Sequence, residues 1–143
     1  MIILNTLQIE LPKGWVPYKN ETDDELPAFI NDDNYNTGVL QISYAKYISG
    51  KLPNIKKREL IKMSYNACAK NDSGKFLKKE SGNCKFGTFG STLFTSKERP
   101  AFKFWYLHDG RNCIMISYIN VNELNNEEIK IANSIVENIK KCD

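Results

Sequence analysis

The strongest constraint on the fold of this chain is a pair of apolar segments, residues 101–107 and 112–121, joined by His108-Asp109-Gly110-Arg111. Asp-Gly between two apolar runs is typical of a β-hairpin. A strand with one face in water carries polar residues at every second position, whereas here both alternating sets are mostly apolar. We therefore predict a central hairpin covered on both faces. The residues expected to be buried there are Phe104, Trp105, Ile114 and Met115.

Two helical segments are available to cover this hairpin. Residues 54–71 and 125–140 both carry apolar side chains at three- and four-residue spacings, and Asn54 and Asn125 are typical N-cap residues. Lys140 and Lys141 suit the C-terminal end of the second helix. Further strands are predicted over residues 7–11, 26–30, 38–48, 76–80 and 84–95, with a turn at 81–83. Gly87 and Gly90 indicate a bulge or a close backbone approach.

The predicted fold class is therefore α+β, an antiparallel β-sheet flanked by two long α-helices, in a single domain over residues 1–143. A hydrophobic fraction of 41% and a charged fraction of 26% are ordinary for a globular domain. No apolar run approaches the roughly 20 residues of a membrane span. The first residues lack the basic region and the long apolar run of a signal peptide, so we expect a cytoplasmic protein.

Charge is distributed unevenly along the chain. Residues 51–85 contain ten bases against three acids, whereas the net charge of the whole chain is only +3. Bases at a helix start oppose the helix dipole, so the cluster at residues 56–58 has no local stabilising role. It is either a solvated helix surface or a face that attracts an acidic protein partner. The candidate partner-binding residues are Lys56, Lys57, Arg58 and Lys62.

Few side chains are available for catalysis. His108 is the single histidine, and in a hairpin turn we expect it to be solvated. The four cysteines have no zinc-binding spacing, and Gly87-Thr88-Phe89-Gly90-Ser91 lacks the Gly-Lys-Ser/Thr ending of a phosphate-binding loop. We predict no catalytic, metal or cofactor site, and therefore a protein that binds rather than catalyses.

Two alternatives to protein binding remain open. An aromatic-rich sheet under two helices could enclose an apolar pocket for a small molecule or a lipid. Nucleic-acid binding through residues 51–85 is a third alternative, and the small net charge disfavours it. Each predicts a distinct observation: a cavity of about 300 Å³ or more for the first, and a steep dependence of affinity on salt for the second.

The order of the elements resembles the PsbP-like superfamily, which includes the photosystem protein PsbP and a Ran-binding nucleotide-release factor. The resemblance rests on Leu11-Pro12-Lys13-Gly14-Trp15, on the strand beginning at Gly38, on Trp105-Tyr106 before the hairpin turn, and on the closing helix over 128–139. It implies a binding or assembly module without catalytic residues. Small bacterial proteins of this kind suggest an accessory or toxin-immunity role, which is an analogy at the level of the fold.

Overall fold

The structure is a computed structural model, and it describes residues 2–4, 7–18, 27–43, 55–71, 74–110 and 112–142. Its helices are α1 (Lys57–Asn71) and α2 (Asn126–Glu137). Its strands are β1 (Ile2–Leu4), β2 (Leu7–Ile9), β3 (Trp15–Pro17), β4 (Ala28–Asn31), β5 (Val39–Ser43), β6 (Lys75–Asn83), β7 (Thr88–Thr95), β8 (Ala101–His108), β9 (Cys113–Asn120) and β10 (Lys140–Lys141). The protein is therefore a mixed α+β fold.

The strands of the described ranges form two antiparallel sheets. The larger has the order β3-β4-β5-β9-β8-β7-β6, and the smaller has the order β1-β2-β10. The β8–β9 hairpin lies in the interior of the large sheet, between β7 and β5, so the predicted central hairpin is confirmed. Phe104, Trp105 and Ile114 are buried as expected. Met115 is an exception, because its side chain is only half-buried.

Helix α1 covers one face of the large sheet over β7 and β8. Its buried Cys68 packs with Phe94, Phe102 and Phe104, which the strand register places on the same face. The helix can lie this close because β7 has a glycine beneath it. A Cβ atom at Gly90 would collide with the backbone of the helix at residues 60 and 61, so the predicted close approach is confirmed.

The opposite face packs against α2 and β2 through one apolar cluster that includes Trp105, Ile114 and Ile129. The buried ammonium group of Lys103 lies at the margin of this apolar cluster. The ammonium group of Lys103, whose side chain is 2% exposed, donates to Glu80 Oε1 at 2.7 Å and to Asn133 Oδ1 at 2.8 Å. The same nitrogen lies 5.0 Å from the centroid of the Trp105 ring, which is within cation–π distance.

The environment of this ion pair shifts the pKa of both partners. Burial lowers the pKa of Lys103, and the hydrogen bond that it donates to Glu80 limits that decrease. Burial alone would raise the pKa of Glu80, but the hydrogen bond and charge of Lys103 bring it below its ordinary value. The contact joins β6, β8 and α2, and so fixes the position of the helix on the sheet.

A second buried polar group fixes the start of α2. The Glu128 side chain is buried, and its Oε1 accepts from the Gly38 amide and from the Tyr118 hydroxyl, each at 2.6 Å. Its Oε2 accepts from Asn34 Nδ2, also at 2.6 Å. Burial and the neighbouring carboxylate raise the pKa of Tyr118 far above its usual range, so the phenol remains a donor. One carboxylate thereby joins α2, β9 and the turn between β4 and β5.

Both helices are shorter than predicted. They contain 15 and 12 residues, so the expectation of two long helices is not confirmed. Asn125 is the N-cap of α2, and its side chain accepts from the Glu128 amide, as expected. The helix ends at Glu137, and Lys140 pairs instead with Gln8 in the small sheet. The predicted cap Asn54 lies outside the described residues, as do residues 44–48 of the predicted 38–48 strand.

The turn predicted at residues 81–83 is wrong. Those residues belong to β6, where they pair with Gly90, Phe89 and Thr88 of β7. The chain reverses one step later, where the backbone groups of Cys84 and Gly87 bond to each other in both directions. The ladder with β7 outweighs the local turn preference of Ser-Gly-Asn, because strand pairing depends on the neighbouring strand as well as on residue type.

We predict that Glu128→Gln lowers the free energy of unfolding by about 1–3 kcal/mol, because an amide cannot accept from all three buried donors. Glu127→Gln is the matched control, since that side chain is 84% exposed and belongs to the same helix turn. Urea unfolding of both variants measures the difference. Equal midpoints for the two variants would show that the Glu128 bonds contribute no net stability.

Candidate functional site

The four predicted partner-binding residues lie at the start of α1 and are all exposed. Lys56 precedes the helix and accepts its first backbone bonds, and Lys57 is the first helical residue. Arg58 and Lys62 are one turn apart and so share a face of the helix. The structure thus brings Arg58 and Lys62 together, whereas Lys56 and Lys57 lie to the side. We call Lys56, Lys57, Arg58 and Lys62 the basic face.

No described carboxylate neutralises the basic face. The ion pairs of the described chain involve Lys78, Lys103, Lys130 and Lys141, and none of these residues belongs to it. Glu59 is the acid of the first helical turn. The bases therefore oppose the helix dipole without a local ion pair, and their positive potential is directed to solvent.

Exposed aromatic rings continue this face along α1. Tyr65 follows Lys62 by three residues, and its ring lies 5.8 Å from that of Phe76 on β6. Both rings contact the buried Phe94, at 5.3 Å and 6.0 Å, with interplanar angles of 64° and 80°. Tyr65 is 43% and Phe76 41% exposed. We call Tyr65, Phe76 and Phe94 the ring cluster. It presents two half-exposed rings that a buried third ring holds in place.

The ring cluster and the basic face form one continuous surface. Arg58, Lys62 and Tyr65 lie at positions i, i+4 and i+7 of the helix, which places them on one line. On the neighbouring strand, Phe76 pairs with Phe94 and Lys79 with Thr92, so Phe76 and Lys79 share a face of β6. Sequence reasoning missed Tyr65 and Phe76. The spacing from Arg58 to Tyr65 was readable, but the contact with β6 depends on the fold.

A groove lies on the other flank of α1. Met63 and Ala67 of the helix face Phe104, Tyr106 and Met115 of the β8–β9 hairpin across a volume of about 510 Å³ that is open to solvent. The Tyr106 hydroxyl lies 3.3 Å from Met115 Sδ. A smaller groove of about 300 Å³ lies between α2 and residues 10–12. The volumes suit a small molecule, although neither groove is the enclosed pocket that the sequence suggested.

The expectation of a solvated His108 is wrong. His108 is the last residue of β8, is buried, and pairs with Cys113 across the hairpin. Its Nδ1 accepts from the Gly110 amide at 3.2 Å. The adjoining Asp109 accepts from the Asn112 amide at 2.6 Å and forms an ion pair with Lys141. His108 is therefore part of the sheet and Asp109 is tied to β10, which the sequence of the turn does not reveal.

The cluster formed by His108, Asp109 and Cys113 is poorly suited to nucleophilic catalysis. Burial, with the charge of Asp109, raises the pKa of the Cys113 thiol to about 11. A nucleophilic cysteine needs the opposite shift, because the thiolate is the reactive form. In the described part of the chain, no three His, Cys, Asp or Glu residues lie close enough to hold a metal ion.

The described helices include none that is long and apolar enough to span a membrane.

Comparison with known proteins identifies the fold. No protein-family model matches the chain, and no protein of curated function matches it. Among solved structures it is similar to cyanobacterial PsbP (CyanoP) from Synechocystis sp. PCC 6803, with a TM-score of 0.56 and 8% identity over 98% of this chain and 95% of that one. The chain has a PsbP-like fold. The resemblance inferred from element order is thus confirmed at the level of the fold.

A second solved structure, from Bacteroides thetaiotaomicron VPI-5482, gives a TM-score of 0.45 and 14% identity over 96% of this chain and 45% of that one. At such identities a PsbP-like fold carries no partner or ligand with it. The surfaces of this chain must therefore be interpreted from its own residues.

We predict that Cys113 in the native protein resists alkylation at pH 8. With a pKa of about 11, roughly one thiol in a thousand is ionised at that pH. Mass spectrometry after brief iodoacetamide treatment should find Cys142 modified well before Cys113, because Cys142 is only half-buried. Faster modification of Cys113 than of Cys142 would contradict this and revive the cluster as a reactive site.

Proposed function

We propose that this chain is a non-enzymatic protein-binding module that binds an acidic partner through the basic face and the ring cluster of α1. The observation that carries the proposal is the position of Tyr65 and Phe76, half-exposed rings beside unpaired bases. Aromatic residues and arginine supply most of the binding energy in protein interfaces. Surface charges mainly raise the association rate and exclude wrong partners.

The ring cluster is suited to this role because little entropy is lost when it binds. Phe94 is 4% exposed and contacts both outer rings in edge geometry, so they are packed before a partner arrives. Preorganised side chains lose less freedom in a complex than mobile ones do. Isolated exposed apolar residues are common on protein surfaces, whereas two rings held together beside a charge cluster are a better indication of an interface.

The partner is expected to bind the face of the sheet and helix rather than to add a strand. β6 is an edge strand of the described sheet, but Lys75, Lys78 and Lys79 lie along it. Its register also shifts between Phe76 and Lys78. Edge lysines and bulges are the features that prevent strand addition.

We propose that the module belongs among accessory or toxin-immunity proteins of the bacterial cytoplasm, which is the setting that the order of its elements suggested.

Charge reversal at the helix start tests the proposal. We expect Lys57→Glu/Arg58→Glu to remove one or more proteins that the wild type captures from its host, and to leave the unfolding midpoint unchanged or higher, because acids at a helix start favour the dipole. Capture at low salt, quantified by mass spectrometry, measures the loss. The matched control is Lys13→Glu/Lys130→Glu, which reverses two exposed bases on other surfaces.

The variant Tyr65→Ser distinguishes the contribution of the ring cluster to affinity from the contribution of the bases to the association rate. For a partner identified in this way, it should weaken equilibrium binding by about tenfold or more. The charge reversal should instead act mainly on the association rate and lose its effect in high salt. A partner retained by both variants would overturn the proposal. Capture of RNA in place of protein, with affinity falling steeply as salt rises, would favour nucleic-acid binding instead.

A further inference from the structure

The groove between α1 and the β8–β9 hairpin has an apolar lining and a polar margin. Met63, Phe104 and Met115 supply most of the apolar lining, and Asn66 and Lys70 line it from the exposed side of the helix. Thioether side chains adapt to irregular apolar ligands, because they are unbranched and polarisable. This groove is on the opposite flank of α1 from the ring cluster, so it is a separate surface.

The margin of the groove carries one sign of charge. Its lining includes Lys70 and no carboxylate. Lys70 forms no ion pair, and the Asn66 amide makes no hydrogen bond, within the described ranges. An ammonium group and an amide donor one turn apart on a helix can both reach a single carboxylate. The charge complement of this groove is therefore a monoanion.

The size of the groove suits a small elongated ligand. Its volume of about 510 Å³ lies within the range of about 300–1,000 Å³ for small-molecule sites. Its helical wall, residues 63–70, is about 10 Å long at 1.5 Å per residue. A narrow apolar chain with one anionic end fits both the volume and the charge.

We propose that this groove binds a free single-chain alkyl carboxylate, with the chain against Met63, Phe104 and Met115 and the carboxylate at Asn66 and Lys70. The chain would cover the half-buried Met115 and Tyr106 of the hairpin, which α1 leaves partly exposed. The inference does not depend on the docking surface proposed above, because the two share no residue.

The methionines of the protein provide a direct probe. The chain contains three methionines, Met1, Met63 and Met115, and two of them line the groove. Protein labelled with ¹³C at the methionine methyl groups is titrated with decanoate below its micelle concentration, with resonances assigned by Met→Leu substitution. The Met63 and Met115 methyl signals should shift in a saturable manner. Decyltrimethylammonium, which has the same chain and the opposite charge, should bind at least about tenfold more weakly.

Charge reversal provides the matched pair. Lys70→Glu should weaken decanoate binding by about tenfold or more, whereas Lys130→Glu, at an exposed base of α2 outside the groove, should leave it unchanged. The proposal is overturned if decanoate shifts neither groove methyl, if the Met1 signal moves with them without saturation, or if the cationic amphiphile binds equally well. Binding to anionic vesicles without a decanoate response would also overturn it, since the ligand would then be a membrane surface.

Discussion

Both faces of the β8–β9 hairpin must be kept from water, and this requirement organises the rest of the structure. Trp105 and Ile114 point to one side, and Phe102 and Phe104 to the other. Each fully buried large apolar side chain contributes about 1.5–3 kcal/mol, so leaving either face open would cost more than a domain of this size can spare. One helix on each face meets the requirement. α1 packs on β6, β7 and β8, and the groove lies where its cover ends at β9.

Apolar burial alone does not determine where α2 lies, because an apolar stripe can slide on an apolar sheet. Two buried polar contacts remove that freedom. Lys103 links Asn133 of the helix to Glu80 of β6, and Glu128 links the first turn of the helix to β9 and to the β4–β5 turn. Misplacing the helix by one residue would leave a buried ammonium or carboxylate without partners, which costs several kcal/mol. The two contacts are thus sources of specificity as well as of stability.

The periodicity of the sequence correctly predicted the elements that depend on local pattern. It failed where the structure of a segment depends on pairing with another strand. The hairpin over 101–121, the alternation from Val39 to Ser43 and the N-cap Asn125 are local features, and the structure has them. Residues 81–83 pair with β7 instead of forming a turn, and His108 belongs to the sheet because it pairs with Cys113. In the candidate site, the four bases of the basic face could be predicted from the sequence. The ring contact between Tyr65 and Phe76 could not, because it joins a helix to an edge strand.

The energetics of α1 explain how it tolerates its basic start. Each base near a helix N-terminus costs about 0.3–1 kcal/mol, so Lys57 and Arg58 together cost about 0.6–2 kcal/mol. Against this, Leu60 and Cys68 are fully buried, and Gly90 allows the helix backbone to touch the sheet. Burying Leu60 alone offsets most of the dipole cost. Tertiary packing therefore determines whether α1 forms, and the identity of its exposed residues is free to serve binding. The bases at the start of α1 do not stabilise the helix, and this agrees with the partner-binding role that we propose for the basic face.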